Sequence, residues 1–502
     1  MRLVSPIGAI AWLGITFLVY GLVLPGFFLS DDFGFVSNLA ELCPVSLWDC
    51  SKKFGGALFF RPLTSLSFYT DYLLWQKNAW GYHGTNLVFH GINCYLVALL
   101  GTKLTGSARA GIIAGLIFLV LPSHCEAVTW ISARADLLCT ALVLTGLLLH
   151  LYGRSWLACL LFGLALTAKE SGIIYPLLLY PPVIRGSRRW RLVIAYGLVL
   201  LSYLTLRYLA LGVVIGGYGA GISWQQIPLN LWHSLGRTFL PPWGARMIYP
   251  LTGIILGLGI WRSRYLSRSN QSICRWLTIA YFVCLLPVLN LSVSLTTTQE
   301  ERFLYLPSVF GCILLAVLLD KIRILKYLTI GILNIGLQSS IQVWVAAAQI
   351  SSTMVQSLAE IPPAPVLYVV NLPDRLEGAY IFRNSFPRAV RLFQPGRFQQ
   401  VKTLAFHPLR QPQDFFTITD RNQLTSSVYP LDFYFKQGGK ILDADLEPLT
   451  TPDFQITDLS DRGFRFVLPQ VKVADQVVYY SRGRLRSVPR FPGLPVVSGA
   501  IR

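Results

Sequence analysis

The chain returns repeatedly to apolar runs long enough to cross a bilayer, and this constrains its fold more than any other feature. A membrane-spanning helix needs about 17–25 mostly apolar residues. Such runs read at 7–29, 84–101, 108–122, 136–152, 155–168, 172–184, 192–212, 246–261, 275–293, 308–320 and 327–349. The expected architecture is an α-helical polytopic membrane protein of about 11 spans. Hydrophobic residues make up 53% of the sequence and charged residues 13%. That charge fraction is about half that of an ordinary soluble domain. It excludes a disordered chain, a fibrous protein and almost any soluble enzyme. The first run exceeds the apolar core of a secretory signal, about 7–15 residues, and leads straight into Asp31-Asp32. It reads as a retained helix.

The net charge of +19 points first to nucleic acid, but its placement argues otherwise. The first 359 residues hold 25 Lys and Arg against 11 Asp and Glu. With the N-terminus in the cytoplasm, alternating spans put 15 of those bases in cytoplasmic loops. They include Lys103 and Arg109, Arg154, Arg185 to Arg191, Arg262 to Arg275, and Lys321 to Lys326. The same register puts 10 of the 11 acids outside, leaving only Asp320 inside. One register sorts both signs, as the positive-inside rule requires. The basic balance is a topology signal, and no nucleic-acid partner is expected. An odd number of spans also places the tail outside.

Composition shifts near the Pro-rich segment Ile361-Pro362-Pro363-Ala364-Pro365. The expected organisation is a membrane domain over 1–350, with a first outer loop at about 30–83, a linker at 351–365 and a soluble extracytoplasmic domain at 366–502. Strand-like stretches at Val366–Val370, Phe415–Thr419, Phe464–Leu468 and Val477–Tyr480 give that tail an α/β or β-rich reading. Seven of the nine cysteines fall in or beside apolar runs, where a thiol behaves as a small hydrophobe. Cys43 and Cys50 share the first outer loop and form a disulfide there if the compartment is oxidising.

Ionisable residues near membrane depth are costly and mark function by default. Here they gather on one side. The first outer loop opens with Asp31-Asp32, continues through Phe60-Arg61-Pro62-Leu63 and ends at Gly81-Tyr82-His83, with Asn86 and His90 following. The next outer corner carries His124, Glu126, Arg134 and Asp136, another carries Lys169-Glu170, and the last carries Glu300-Glu301-Arg302. A carboxylate near a like charge has a raised pKa, suited to taking a proton from a hydroxyl. Arginine and lysine at the same depth suit a phosphate. Each piece also has a structural reading. Asp31-Asp32 would solvate a helix end. Arg134 with Asp136, and Lys169 with Glu170, would lock their loops. Glu301-Arg302 would cap a helix. His83, Asn86 and His90 would hold helices together.

These residues resemble a family. Arg61-Pro62-Leu63 with Gly81-Tyr82-His83, Asn86, His90 and Asn93 is similar to a pattern of multi-span GT-C glycosyltransferases. The group in question is the transmembrane-and-TPR O-mannosyltransferase-like proteins and their bacterial relatives. Pro122 to Val128 with Trp130-Ile131, Arg134 and Asp136 resembles that group's next motif, although its first His is Ser or Leu here. Lys169-Glu170, Arg207-Tyr208 with Gly217-Tyr218-Gly219, and Glu301-Arg302-Phe303-Leu304-Tyr305-Leu306-Pro307-Ser308 follow in order. The likeness covers about residues 10–350. It departs after residue 360, where no 34-residue helical repeat is found.

The resemblance implies a GT-C bundle that takes a sugar from a polyprenyl-phosphate donor to a protein, lipid or glycan acceptor on the outer face of the membrane, with inversion. It implies Asp31 or Asp32 as general base, and Lys169 and Arg302 as phosphate partners. Arg61, His83, Asn86, His124, Glu126, Arg134, Asp136, Glu170 and Glu301 are the further candidates for substrate binding. Some members use a divalent metal, Mg or Mn, for which Asp31 and Asp32 would be ligands. The compact loops and missing repeats lean towards a bacterial inner membrane. Two other function classes remain. A lipid-linked-sugar transporter predicts midplane charges and internal repeats, and neither is evident. A non-catalytic assembly protein would tolerate loss of the outer acids.

Overall fold

The computed structural model describes residues 6–42, 59–179, 189–214, 224–320, 322–383, 385–409, 416–420, 428–437, 455–460, 463–472 and 474–487. The expected Cys43–Cys50 disulfide, Arg185, Arg188, and Gly217 to Gly219 lie outside them. The chain divides into two compact units, residues 1–346 with 377–379 and residues 347–376 with 380–502.

The first unit is helical. Its main helices are Pro6–Tyr20, Asp31–Leu42, Pro62–Trp75, Ala79–Thr105, Ala108–Leu119, Arg134–Leu151, Ser155–Ala168, Arg189–Leu211, Ile227–Phe239, Ala245–Ser263, Arg268–Leu285, Tyr305–Leu319 and Arg323–Ser357. Over its described residues each apolar run read from the sequence falls mainly on a helical stretch, with 24–29 and 289–293 beyond the helices. Among the described residues, six helices are long and apolar enough to cross a membrane. There are seven if Ala108–Leu119 and Pro122–Thr129, bent by 61°, form one span. Ile7–Val23, Ser155–Ala168 and Glu170–Leu179 are apolar but shorter. A 14-residue helix such as Ser155–Ala168 rises only about 21 Å, less than a hydrocarbon core of about 30 Å. The expected count of about 11 rests on such short elements.

Local sequence sets the helix ends. Asn78 and Ser107 cap the Ala79–Thr105 and Ala108–Leu119 helices, accepting from Trp80 N and Ala110 N. Pro62 and Pro122 stand in first turns, where a missing N–H costs nothing. The functional corners are helix ends and the short 3-10 segments beside them, so the bundle places them at one end.

Helix–helix contacts use small residues, as membrane packing favours. Gly101 and Gly111 bring Ala79–Thr105 and Ala108–Leu119 together: a Cβ on Gly101 would stand 3.1 Å from Gly111 Cα. A Cβ on Gly111 would overlap Thr102 Oγ1 and the Ala98 carbonyl oxygen. Gly111→Ala therefore pushes backbone from backbone. We expect a loss of about 1–3 kcal/mol, measured as a lower thermal midpoint of the detergent-solubilised protein. Gly84→Ala, at a site with nothing within 4 Å, leaves the midpoint in place.

The second unit is α/β. Its larger sheet is built on the long strand β1 (Ala364–Leu376). β3 (Phe398–Leu409) and β8 (Gln476–Ser481) run parallel to β1, and β9 (Arg484–Ser487) pairs antiparallel with β8. The parallel β1–β3 pairing needs a crossover, and the short helix Phe386–Phe393 supplies one. The Asn371 side chain ties β1 to β8 through both its amide atoms, donating to Tyr480 O and accepting from Tyr480 N. A second sheet is antiparallel, in the order β4 (Phe416–Asp420), β5 (Val428–Gln437), β7 (Gly463–Lys472), β6 (Gln455–Ser460). All four stretches read as strands lie on strands.

Candidate functional site

The site begins where the first helix ends. Ser30, at φ 45°, turns the chain into the helix that starts with Asp31 and Asp32. Asp32 is 1% exposed. Its Oδ2 accepts from Leu29 N at 2.9 Å, and its Oδ1 accepts from Ser132 N at 2.9 Å and from the Ser132 hydroxyl. One carboxylate thus staples the first loop to the corner around residue 132. Burial, only partly offset by the hydrogen bonds from Ser132 and Leu29, pushes its pKa up from 3.8 to about 7. Asp31 is half-buried. The two neighbours differ in exposure: Asp32 is shut inside, and Asp31 is partly open to solvent.

The Trp130 indole N–H donates to the Leu29 carbonyl at 3.4 Å, and the Arg302 guanidinium lies 5.1 Å from the Trp130 ring. Arg302 also sits 4.6 Å from the Phe303 ring, over which Lys169 Nζ stands at 5.3 Å. A continuous path of contacts therefore runs from Asp32 to both expected phosphate cations. Each cation has a carboxylate: Lys169 donates to Asp136 Oδ1 at 2.5 Å, and Arg302 bonds Glu126 and, at 3.1 Å, Glu300. The Arg302 backbone N–H also donates to Glu126 at 2.9 Å.

Arg134 sits at the centre of a second network. It is fully buried. It donates to Asn86 Oδ1 at 2.8 Å and to the Tyr82 carbonyl at 3.1 Å, forms an ion pair with Asp71 at 2.5 Å, and lies 4.1 Å from the Phe68 ring. The Asn86 amide donates to the Trp130 carbonyl at 3.3 Å, so both networks meet on one corner. His83 packs against Gly26, where a Cβ would stand 3.0 Å from its Nε2. Arg61 joins Glu170 at 2.8 Å, and Arg207 joins the same carboxylate at 3.3 Å. The Thr64 hydroxyl donates to the Ala168 carbonyl at 2.9 Å, holding that pair beside Lys169.

Two candidates lie apart from this group. Glu301 pairs with Arg237, both side chains being fully buried. His124 is a core clip. Ser308 Oγ donates to the Tyr305 carbonyl at 2.8 Å and accepts from His124 Nε2 at 2.7 Å. His90 is held similarly. A carbonyl only accepts, so its Nε2 donates to Leu119 O at 3.4 Å, and its Nδ1 accepts from the Tyr305 hydroxyl at 2.7 Å.

The local ion pairs do not form as sequence neighbours suggest. Arg134 pairs with Asp71 rather than Asp136, Asp136 with Lys169, and Glu170 with Arg61 and Arg207. Sequence reasoning missed Asp71, Ser132 and Phe303 as members of the site, and Arg237 as the partner of Glu301. The one signal for Asp71 was an acid inside an otherwise uncharged helical run.

The Asp31–Asp32 pair does not fit a protein-held Mg or Mn ion. Both Asp32 oxygens already accept chain donors. Among the described residues no group of three or more His, Cys, Asp or Glu side chains is placed to hold a metal. No step below runs through one.

With the bundle and its corners in view, the likeness to known proteins can be placed. The crystal structure of ArnT from Cupriavidus metallidurans in the apo state superposes with a TM-score of 0.50 at 14% identity, covering 80% of this chain and 86% of that one. The chain has the fold of a GT-C glycosyltransferase. In sequence the chain is 26% identical over 313 residues to Protein O-mannosyl-transferase F38B6.6 of Caenorhabditis elegans, 53% of this chain and 43% of that protein. It is 36% identical over 121 residues to Protein O-mannosyl-transferase Tmtc1 of Drosophila melanogaster, 23% of this chain and 14% of that one. It is 34% identical over 124 residues to human Protein O-mannosyl-transferase TMTC3, 23% of this chain and 13% of that one. It spans less than half the length of these curated relatives. No family model matches the chain.

Proposed function

We propose that this GT-C protein is an inverting membrane glycosyltransferase. It takes a sugar from a polyprenyl-phosphate donor to a hydroxyl of a protein, lipid or glycan acceptor. The carrying observation is the contact path that links the Asp31–Asp32 turn through Trp130 to Arg302, Phe303 and Lys169. It supports reading the partly exposed Asp31 and the two cations as members of one site.

The reaction is one displacement. A general base must first touch the proton it takes; its pKa is weighed second. Partial exposure favours Asp31 on the first count, and burial counts against Asp32. Asp31 takes the acceptor hydroxyl's proton, and the oxygen attacks the anomeric carbon. The bond to the donor phosphate breaks, and the phosphate leaves with the electron pair. An ammonium has three donors, so Lys169, with one on Asp136, has two left for phosphate oxygens. Arg302 adds charge-assisted bonds. Asp32 is a positioning residue: it fixes Leu29 and Ser132, and with them the turn that presents Asp31. Arg134, Asn86 and Asp71 hold that corner rigid.

Asp32 also gives the reaction a pH dependence. Its carboxyl is protonated below about 7. Protonation removes the charge and turns one oxygen into a donor, so the carboxyl accepts more weakly from Ser132 and Leu29 and its hold on the turn slackens. Transfer therefore rises as pH climbs through about 7. Asp32→Asn, which cannot titrate, lacks this acidic limb; an unchanged limb in that variant would reject the role.

The direct test is reconstitution. Proteoliposomes holding the purified chain, given a labelled polyprenyl-phosphate sugar and a hydroxyl acceptor, are expected to yield an inverted glycoside, read by NMR of the anomeric proton. Retained configuration, or no transfer from any such donor, would end this reading. The orientation has its own test: a reporter fused after residue 502 is expected outside the membrane, and one inserted at residue 188 inside.

A further inference from the structure

The cations expected to meet the phosphate are all neutralised in the folded chain: Lys169 by Asp136, Arg302 by Glu126 and Glu300, Arg134 by Asp71, and Arg61 and Arg207 by Glu170. A paired cation does little to draw an anion in from a distance. Arg246 differs. It is exposed, and among the described residues it has no carboxylate in ion-pair range.

Arg246 stands at the start of Ala245–Ser263, at the end opposite Arg262. Gly244 N donates to the Leu295 carbonyl at 2.8 Å, and Arg237 Nε donates to the Ser294 carbonyl at 2.8 Å while its other end holds Glu301. The turn before Arg246 is thereby tied to the segment that leads into Arg302. Gly244 has a φ of 84°, so a side chain there would strain the turn. Trp243, Met247, Ile254 and Leu258 are 48%, 53%, 55% and 59% exposed. This exposed apolar surface suits lipid, and Arg246 stands at its N-terminal end. A polar cluster lies beside it. Tyr249, three residues on and so on the same helix face, shares a hydrogen bond of 2.8 Å with His233 Nε2; His233 Nδ1 is 3.3 Å from Ser292 Oγ. The Tyr249 and His233 rings are stacked at 5.9 Å.

We propose that Arg246, with the His233–Tyr249–Ser292 cluster beside it, is a docking site that receives the phosphate of a polyprenyl-linked donor from the bilayer before Lys169 and Arg302 take it over. It deepens the transferase reading and rests on it. A guanidinium with no carboxylate in ion-pair range among the described residues offers a bidentate grip on a phosphate, and whichever of the Tyr249 and Ser292 hydroxyls accepts from His233 keeps its own proton to donate. The paired cations further in draw an anion less strongly from a distance, because Asp136, Glu126 and Glu300 offset their charge.

The experiment uses the full chain in nanodiscs and a polyprenyl monophosphate bearing no sugar. The same polyprenol without phosphate, and phosphatidylglycerol as a competitor, are the other arms. Binding of the monophosphate is expected to weaken about tenfold in Arg246→Ala, the loss of one charge-assisted bond, and less in Arg246→Lys. His233→Gln is expected to weaken it by a smaller factor. The polyprenol is expected to bind poorly, and phosphatidylglycerol not to displace the monophosphate. Equal binding of the monophosphate by wild type and Arg246→Ala, at equal thermal midpoints, would overturn the proposal. Full displacement by phosphatidylglycerol would overturn it too, because the site would then hold an ordinary headgroup. If wild type transfers sugar while Arg246→Ala binds normally, the docking site fails and the transferase reading survives. If Arg246→Ala binds more weakly and wild type transfers no sugar, the phosphate site stands and the transferase reading fails.

Discussion

Asp31→Asn is expected to lower the rate of sugar transfer by about 100- to 10,000-fold, the usual contribution of a general base, with little change in apparent donor KM. The change keeps the size of the side chain and removes only its basicity. The protein should insert and purify as wild type, because Asp31 is the half-buried member of the pair. Asp32→Asn acts differently. Asp32 receives N–H groups from Leu29 and Ser132 on its two oxygens. An amide turns one acceptor into a donor and sets it against another donor. The turn then loosens, and kcat falls through misplacement of Asp31. Adding Asp32→Asn to Asp31→Asn should then cost little more, since the base is already gone. Steady-state kinetics of the three variants decide the matter. An Asp31→Asn enzyme with wild-type kcat would remove Asp31 as base.

Arg237→Met is expected to destabilise the protein by about 3–5 kcal/mol, because it leaves a buried carboxylate without its cation. Arg237 and Glu301 are both shut off from solvent, and Arg237 also donates to the Ser294 carbonyl at 2.8 Å. The double change Arg237→Met with Glu301→Leu removes both charges and should recover most of the loss, since apolar replacements of a buried pair are often neutral or better. The half-exposed pair Arg375 with Asp374 is the control. Arg375→Ala should shift the thermal midpoint by no more than a surface bridge does, about 0–1 kcal/mol. The detergent-solubilised variants can be compared by thermal unfolding. A double variant no more stable than Arg237→Met would show that the pair has a further task, such as shaping the approach to Arg302.

Much of the fold was legible because bilayer physics writes itself into sequence as long apolar runs. Those runs lie on helices, and the corner motifs fall at helix ends or the short 3-10 segments beside them. The tail strands were legible through β-rich runs broken by Pro, Asp and Gly. The partners of the charges were not. Arg134 chooses Asp71 over Asp136, and Glu170 chooses Arg61, 109 residues away. Such choices depend on how helices cross, and spacing along the chain carries no record of that. The division of labour within Asp31-Asp32 was equally hidden. Two identical side chains become different through burial and hydrogen bonding, one shut in and held by Leu29 and Ser132 and one partly open to solvent.

The measurement closest to the central claim is a glycan and intact-mass profile of cells with the gene, without it, and with only the Asp31→Asn form. If the corner joining Asp31, Lys169 and Arg302 transfers sugar, one acceptor should lose a hexose-sized mass in the deletion, regain it with wild type, and not regain it with Asp31→Asn. Restoration by Asp31→Asn, or identical profiles in all three strains, would contradict the account.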